Sequence, residues 1–187
     1  TRFKCDWSSD VCSSDLPVLI QATLPHGEVR AELISETLGN RSNAIAIRAG
    51  SEQASGSPAT ERQLPFAVGE RLNYDISWGN FISVGRAAFE VRQQGMIGDR
   101  RVIEFYGEAS STGAARTLIN VNDQISSIVL ADRLNPLRTE LRLHEGKRVK
   151  LDAALFNFVD KTAHLNNGTV IVVPDGTLDL ISLFYTI

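Results

Sequence analysis

Cys5 and Cys12 are the only thiols in the chain, and both lie in its first sixteen residues, TRFKCDWSSDVCSSDL. Thiols can pair as a disulfide, bind zinc as thiolates or act as nucleophiles. Three histidines, His26, His144 and His164, are the other candidate ligands and bases. None has a second histidine or a carboxylate at metal-ligand spacing, so each reads as a solvated side chain. No serine stands in a G-x-S-x-G sequence, and the linker serines have no base nearby. Asp123 and Asp132 bracket a strand-like run and suit turns better than an acid/base pair. Asn167-Gly168-Thr169 matches a glycosylation acceptor in form and reads better as a hairpin turn. The expectation is therefore no catalytic residue, no metal and no cofactor.

The thiols themselves are suspect. The first sixteen residues have neither the apolar stretch of a secretory leader nor any periodicity. Back-translated, DWSSDVCSSDL resembles a widely used short-read sequencing adapter over eleven codons in one frame. Residues 1–16 are therefore expected to be an adapter-derived artefact, disordered and outside the fold, which removes both cysteines from consideration. They hold two of the 19 Lys and Arg and three of the 22 Asp and Glu, leaving 17 against 19. That near-neutral balance gives no electrostatic reason to expect a nucleic acid or an anionic membrane as partner. No run of eighteen apolar residues is present, so no transmembrane segment is expected in the fragment.

What remains is apolar and alternating. Residues 17–50 read as three strands, PVLIQATL, HGEVRAELIS and SNAIAIRAG, expected to end an upstream β-module. Residues 51–63 contain almost no large apolar side chain and read as a linker. The main domain is expected over 64–187. ERLNYDISW sets Leu72, Tyr74, Ile76 and Trp78 on one face. Further strands follow in FISVGRAAFEVRQ, RRVIEFYGEAS and DQISSIVLAD, with a short helical turn in TGAARTLIN. Between 136 and 156, Leu137, Thr139, Leu141 and Leu143 alternate with charges, as do Val149, Leu151, Ala153 and Leu155. Matching the two apolar rows sets Leu141 opposite Leu151 and requires a three-residue turn at Glu145, Gly146 and Lys147. TAHL and TVIVV form another hairpin, and LDLISLFYTI reads as an apolar, buried helix.

The expected fold is mainly β: an antiparallel meander forming a strongly curved sheet or partly open barrel, with a C-terminal apolar helix. A sheet with one oily face must cover it. A curled sheet around a partly filled interior is also how small barrels hold apolar ligands. Leu72, Tyr74, Trp78, Phe89, Phe105, Leu141 and Leu151 are the candidate ligand-binding residues, although Tyr74 and Trp78 read first as core aromatics.

LPFAVGERLNYDISWGNFISVGRAAFEV, VNDQISSIVLADRLNPLRTELRLHEGKR and VVPDGTLDLISLFYTI together resemble the bacterial family catalogued as domain of unknown function 3108. The order and spacing of Val68–Trp78, the VND at Val121–Asp123 and the LNPLR at Leu134–Arg138 carry the resemblance. It implies an exported, mostly β protein of the periplasm or cell envelope, with no catalytic residue to carry over. It also implies that the family's domain continues past Ile187, so the last helix is cut short. A non-enzymatic binding module for a lipid or other apolar ligand is the first expectation, with an elongated interior cavity. A structural or protein-interaction module of the envelope is the alternative, with a dry core and an exposed edge strand or apolar patch. A hydrolase with an unrecognised site is the third reading.

Overall fold

The computed structural model describes residues 2–7, 17–25, 27–39, 44–47, 62–79 and 82–186. Thirteen strands and two short helices follow one another: β1 (Arg2–Trp7), β2 (Pro17–Leu24), β3 (Gly27–Thr37), β4 (Ala44–Ile47), β5 (Arg62–Ala67), β6 (Arg71–Trp78), β7 (Ile82–Ile97), β8 (Arg100–Ser111), α1 (Gly113–Leu118), β9 (Asn122–Leu130), β10 (Pro136–Glu145), β11 (Arg148–Asn157), β12 (Thr162–Leu165), β13 (Val170–Val172) and α2 (Leu180–Phe184). Eleven strands form one antiparallel sheet in the order β1-β2-β3-β6-β7-β8-β9-β10-β11-β12-β13, and β4 pairs with β5 separately. The sheet is an open meander, not a closed barrel. Register shifts at Leu33/Ser35, Ile76/Ser77, Val91/Gln93 and Pro136/Arg138 bend it, as an extra residue in one strand always does. Among the described residues no helix is long and apolar enough to cross a membrane.

Alternation and register together put one continuous apolar row on one face. Leu33 pairs with Tyr74, Tyr74 with Ala87, Leu72 with Phe89 and Val91 with Phe105. Phe105 then lies opposite Ser127, Gly107 opposite Ile125 and Ile125 opposite Leu141. Gly107 leaves the room that Phe89 occupies: a Cβ there would stand 2.8 Å from Ile125 Cγ2 and 3.0 Å from Phe89 Cδ1. The opposite face carries charge, for instance Arg71 between Glu90 at 3.2 Å and Glu108 at 2.6 Å.

The apolar row is covered by α2 and by Phe66 of β5, which complete one core with Ile181 and Tyr185. The helix is buried on one side only. Ile181 and Ser182 are inside, whereas Leu180 and Leu183 face water, which corrects the expectation of an all-round buried helix. Asp179 fastens it. Its Oδ1 accepts the Ser182 backbone N–H at 2.8 Å while its own N–H donates to Ser182 Oγ at 3.0 Å, a reciprocal capping box. Its Oδ2 accepts hydrogen bonds from the Ser127 hydroxyl on β9 and the Thr139 hydroxyl on β10.

Several expectations are overturned. Residues 2–7, expected to be disordered, form β1 against β2. An open sheet edge offers backbone N–H and C=O groups that a tethered segment can pair with whatever its side chains. β2 and β3 belong to no separate upstream module, since β3 pairs with β6 along Val29–Thr37 and extends the main sheet. The expected linker lies outside the described residues over 51–61, and its last two residues, Arg62 and Gln63, are in β5. The 136–156 hairpin is shifted by one residue: Leu141 pairs with Asp152 and Glu145 with Arg148, around a two-residue turn. A three-residue loop would put its left-handed residue at Lys147, where a side chain resists that conformation; the two-residue turn uses Gly146, at φ +62°. The slip moves Val149, Leu151 and Leu155 to the face opposite the core. Lys150 forms an ion pair with Asp152, and Glu140 one with Arg138.

Replacing Asp179 by Ala removes the cap and leaves the Ser127 and Thr139 hydroxyls with only longer contacts, 3.4 Å to each other and 3.4 Å from Ser127 to the Arg138 carbonyl. Losses of about 1 kcal/mol for a cap and about 1–3 kcal/mol for stranded polar groups make about 2–4 kcal/mol the expected destabilisation. Urea unfolding should show a lower midpoint with an unchanged slope.

Candidate functional site

The sheet brings five of the seven candidate ligand residues together and separates two. Leu72, Tyr74, Phe89, Phe105 and Leu141 share the core face. Trp78, at the end of β6, is partly exposed and lies across Gly27, whose backbone it approaches so closely that a Cβ would meet the indole at 2.7 Å. Leu151 points from the other face into water.

Among the described residues, the two deepest of the five touch no open space. Leu72 and Phe105 are 0% exposed, so no water-sized space touches either. The space is filled from above: Tyr185 stacks on Phe105 with centroids 4.4 Å apart, and Phe184 stacks on Phe89 at 4.3 Å. Phe66 meets Phe105 edge-on at 5.4 Å, and Tyr74 meets Phe184 at 5.8 Å. Such pairs add about 0.5–1.5 kcal/mol each to the burial of their area. The interior that a curled sheet could have kept for a ligand is occupied by the chain's own helix.

Three hollows lie on the sheet's surfaces among the described residues. One, of about 440 Å³, has Arg71, Asn73, Tyr74, Arg86 and Glu108 in its wall. Another, of about 350 Å³, lies on the core face beyond α2, with Thr139, Leu141, Ala154 and Leu165 in its wall. A third, of about 190 Å³, is on the charged face between Glu104, Gln124, Glu140 and Arg142. There Arg92 covers the Tyr106 ring at 3.4 Å from its centroid. His144 spends its backbone N–H on Asp123 Oδ1 at 2.8 Å, His164 is exposed on β12, and His26 lies outside the described residues. Among the described residues no three His, Cys, Asp or Glu side chains converge on a common point.

One perturbed carboxyl is a residue that the sequence pattern does not single out. Val68 and Gly69 turn the chain between β5 and β6, with Gly69 at φ +91° and the Glu70 N–H donating to the Ala67 carbonyl at 3.0 Å. That turn aims Glu70 inward. Burial pushes its carboxyl up to about 7 from the ordinary 4.5, opposed by a hydrogen bond from the Ala67 N–H and reinforced by the charge of Glu36. Its Oε1 and the Tyr185 hydroxyl are both buried, and neither has a hydrogen-bond partner among the described residues. Burial, then the nearby Glu70, raises the Tyr185 hydroxyl above the ordinary tyrosine range. Its only signal in the sequence is the VGE at Val68–Glu70, where a charged residue adjoins a tight turn.

The segments that carried the resemblance meet in space. The Asn135 amide of LNPLR donates to the Thr177 carbonyl of PDGT at 3.0 Å. Val121 of VND bridges to Glu145, and Asp123 holds His144. Each piece has a structural task that spacing along the chain does not reveal. The profile of the family described as "Protein of unknown function (DUF3108)" matches residues 73–187. This chain belongs to that family. The match opens at Asn73 in β6, after the VGE turn, and runs through α2. No curated protein and no solved structure matches the chain.

Glu70→Gln should flatten the pH dependence of stability. With its folded pKa above the unfolded value, the wild-type group has its full stability below about pH 4.5 and loses it as pH rises through about 7. Across that window wild type should lose about 2–3 kcal/mol relative to the variant, read from urea midpoints at a series of pH values.

Proposed function

We propose that this domain is a non-enzymatic structural or protein-interaction module of the bacterial envelope, working in the periplasm and engaging its partner through a sheet edge. The observation that carries this reading is β13. All three of its side chains, Val170, Ile171 and Val172, are exposed, and Val172 is 83% so. The Leu165 N–H donates to the Thr169 carbonyl at 2.8 Å and the Val173 N–H to the Lys161 carbonyl at 2.9 Å. By the alternation of antiparallel pairing, Val170 and Val172 turn their N–H and C=O groups away from β12. That is a template for an extended segment of a partner, with aliphatic side chains to give it purchase. Next to it, the shifted hairpin register exposes Leu151 and Leu155 on β11.

The filled core supports this reading over an interior lipid site, because Phe184 and Tyr185 stand where the ligand would lie.

Val172→Pro tests the proposal. Proline at an edge position whose N–H faces outward leaves the internal ladder intact and blocks pairing. The variant should unfold within about 0.5 kcal/mol of wild type. Photo-cross-links from position 171 to envelope proteins should disappear in it. Native mass spectrometry before and after organic extraction should give one unchanged mass. A bound mass that leaves on extraction would replace this reading with an apolar-ligand carrier.

A further inference from the structure

The strand register gathers an unusual set of side chains at one end of the sheet. Val29 pairs with Trp78 and Trp78 with Ile82, so the β2–β3 and β6–β7 turns lie side by side. Ser111 pairs with Gly85, which brings α1, in the β8–β9 connection, to the same end. The Gly146 N–H donates to the Asn120 carbonyl at 2.6 Å, which adds the β10–β11 turn. Four connections thus form one rim.

That rim exposes large apolar side chains. Leu118 is 86% exposed, Val149 65%, Ile82 63% and Ile119 62%, and Trp78 is also partly exposed. α1 is the oddest element. It has six residues, buries none of them, and its last residue, Leu118, and its C-cap, Ile119, both point into water. A helix so short is marginal by itself in water, and here its apolar end makes no core contact to offset that.

Charged side chains are interleaved with these apolar ones. Arg116, Lys147 and Arg148 stand among the apolar tips of the rim, against Glu145 in the same turns and Glu28 at the start of β3. The far end also exposes Met96, Ile97 and Val159, and its turns carry Asp99, Asp132 and Asp160 beside Arg100, Arg101, Arg133 and Lys161. Carboxylates resist entry into a headgroup layer, whereas lysine and arginine reach to phosphates while their stems stay in apolar surroundings.

We infer that this rim docks on a lipid bilayer, with Leu118, Ile119 and Ile82 entering the interface, Trp78 at headgroup level and Arg116, Lys147 and Arg148 on the phosphates. A bilayer fits better than a protein because the apolar groups sit on separate projecting turns. A fluid interface closes around projections, while a protein would need a matching pocket for each. Aliphatic tips with tryptophan and basic neighbours are the composition of interfacial anchors. This surface is distinct from the β13 edge, and either can fail without the other.

The test is flotation of the full chain with vesicles of phosphatidylcholine, alone and mixed with phosphatidylglycerol. The chain should float with both and more strongly with the mixture. Leu118→Ser with Ile119→Ser should weaken partitioning by at least about tenfold, with an unchanged circular dichroism spectrum because both residues are exposed. In a Trp7→Phe background, which leaves Trp78 as the only tryptophan, vesicles should shift its emission to the blue. Failure to float with either vesicle would overturn the inference, as would flotation that the double substitution leaves unchanged. So would Leu118-dependent self-association without vesicle binding, which would mark the rim as a protein contact.

Discussion

A one-faced sheet in water depends on whatever covers its oily side, and here the cover depends on Asp179. The helix that lies on the apolar row has five residues, too few to be stable by itself. One carboxylate supplies what length does not. Oδ1 closes the first turn through Ser182, while Oδ2 collects hydroxyls from two neighbouring strands. With the helix start fixed over β9 and β10, Ile181, Phe184 and Tyr185 have only one place to go, between Phe66, Phe89 and Phe105. The Asn135–Thr177 bond holds the preceding loop to the same strands. The cover of the sheet and its filled core follow from this attachment.

The filled core redirects attention to surfaces. Side chains that could have lined a ligand chamber are taken up by the helix, while aliphatic residues that alternation would assign to the core stand outside on β11 and β13. Exposed apolar side chains scattered singly need no explanation. Here they are gathered by topology, on an edge strand with outward backbone groups and on a rim where four connections converge. Glu70 stands apart from both. It stays inside the aromatic core with one oxygen unpaired, so the domain carries a destabilising carboxyl that titrates near neutrality.

Period-two alternation alone is enough to place β6, β7, β8, β9 and the two C-terminal hairpins and to divide charged from apolar faces. It also finds α1 and the apolar character of α2. Those properties are local: neighbouring side chains in a strand point to opposite faces whatever surrounds them. Leu72, Tyr74, Phe89, Phe105 and Leu141 were legible as members of one face for this reason.

Where faces end and which elements meet was decided only in three dimensions. The hairpin at 145–148 took the register that its glycine allows, not the one that matches leucine to leucine, because beyond β10 no helix covers the sheet to reward that match. β2 and β3 joined the main sheet because β6 offered an open edge, a contact across dozens of residues that no local pattern encodes. Glu70 became a perturbed acid only when packing took its carboxyl out of water, with the charge of Glu36 nearby. Local chemistry determines what each segment can be, and long-range packing selects which of its faces is hidden, which is exposed and which charge must do without water.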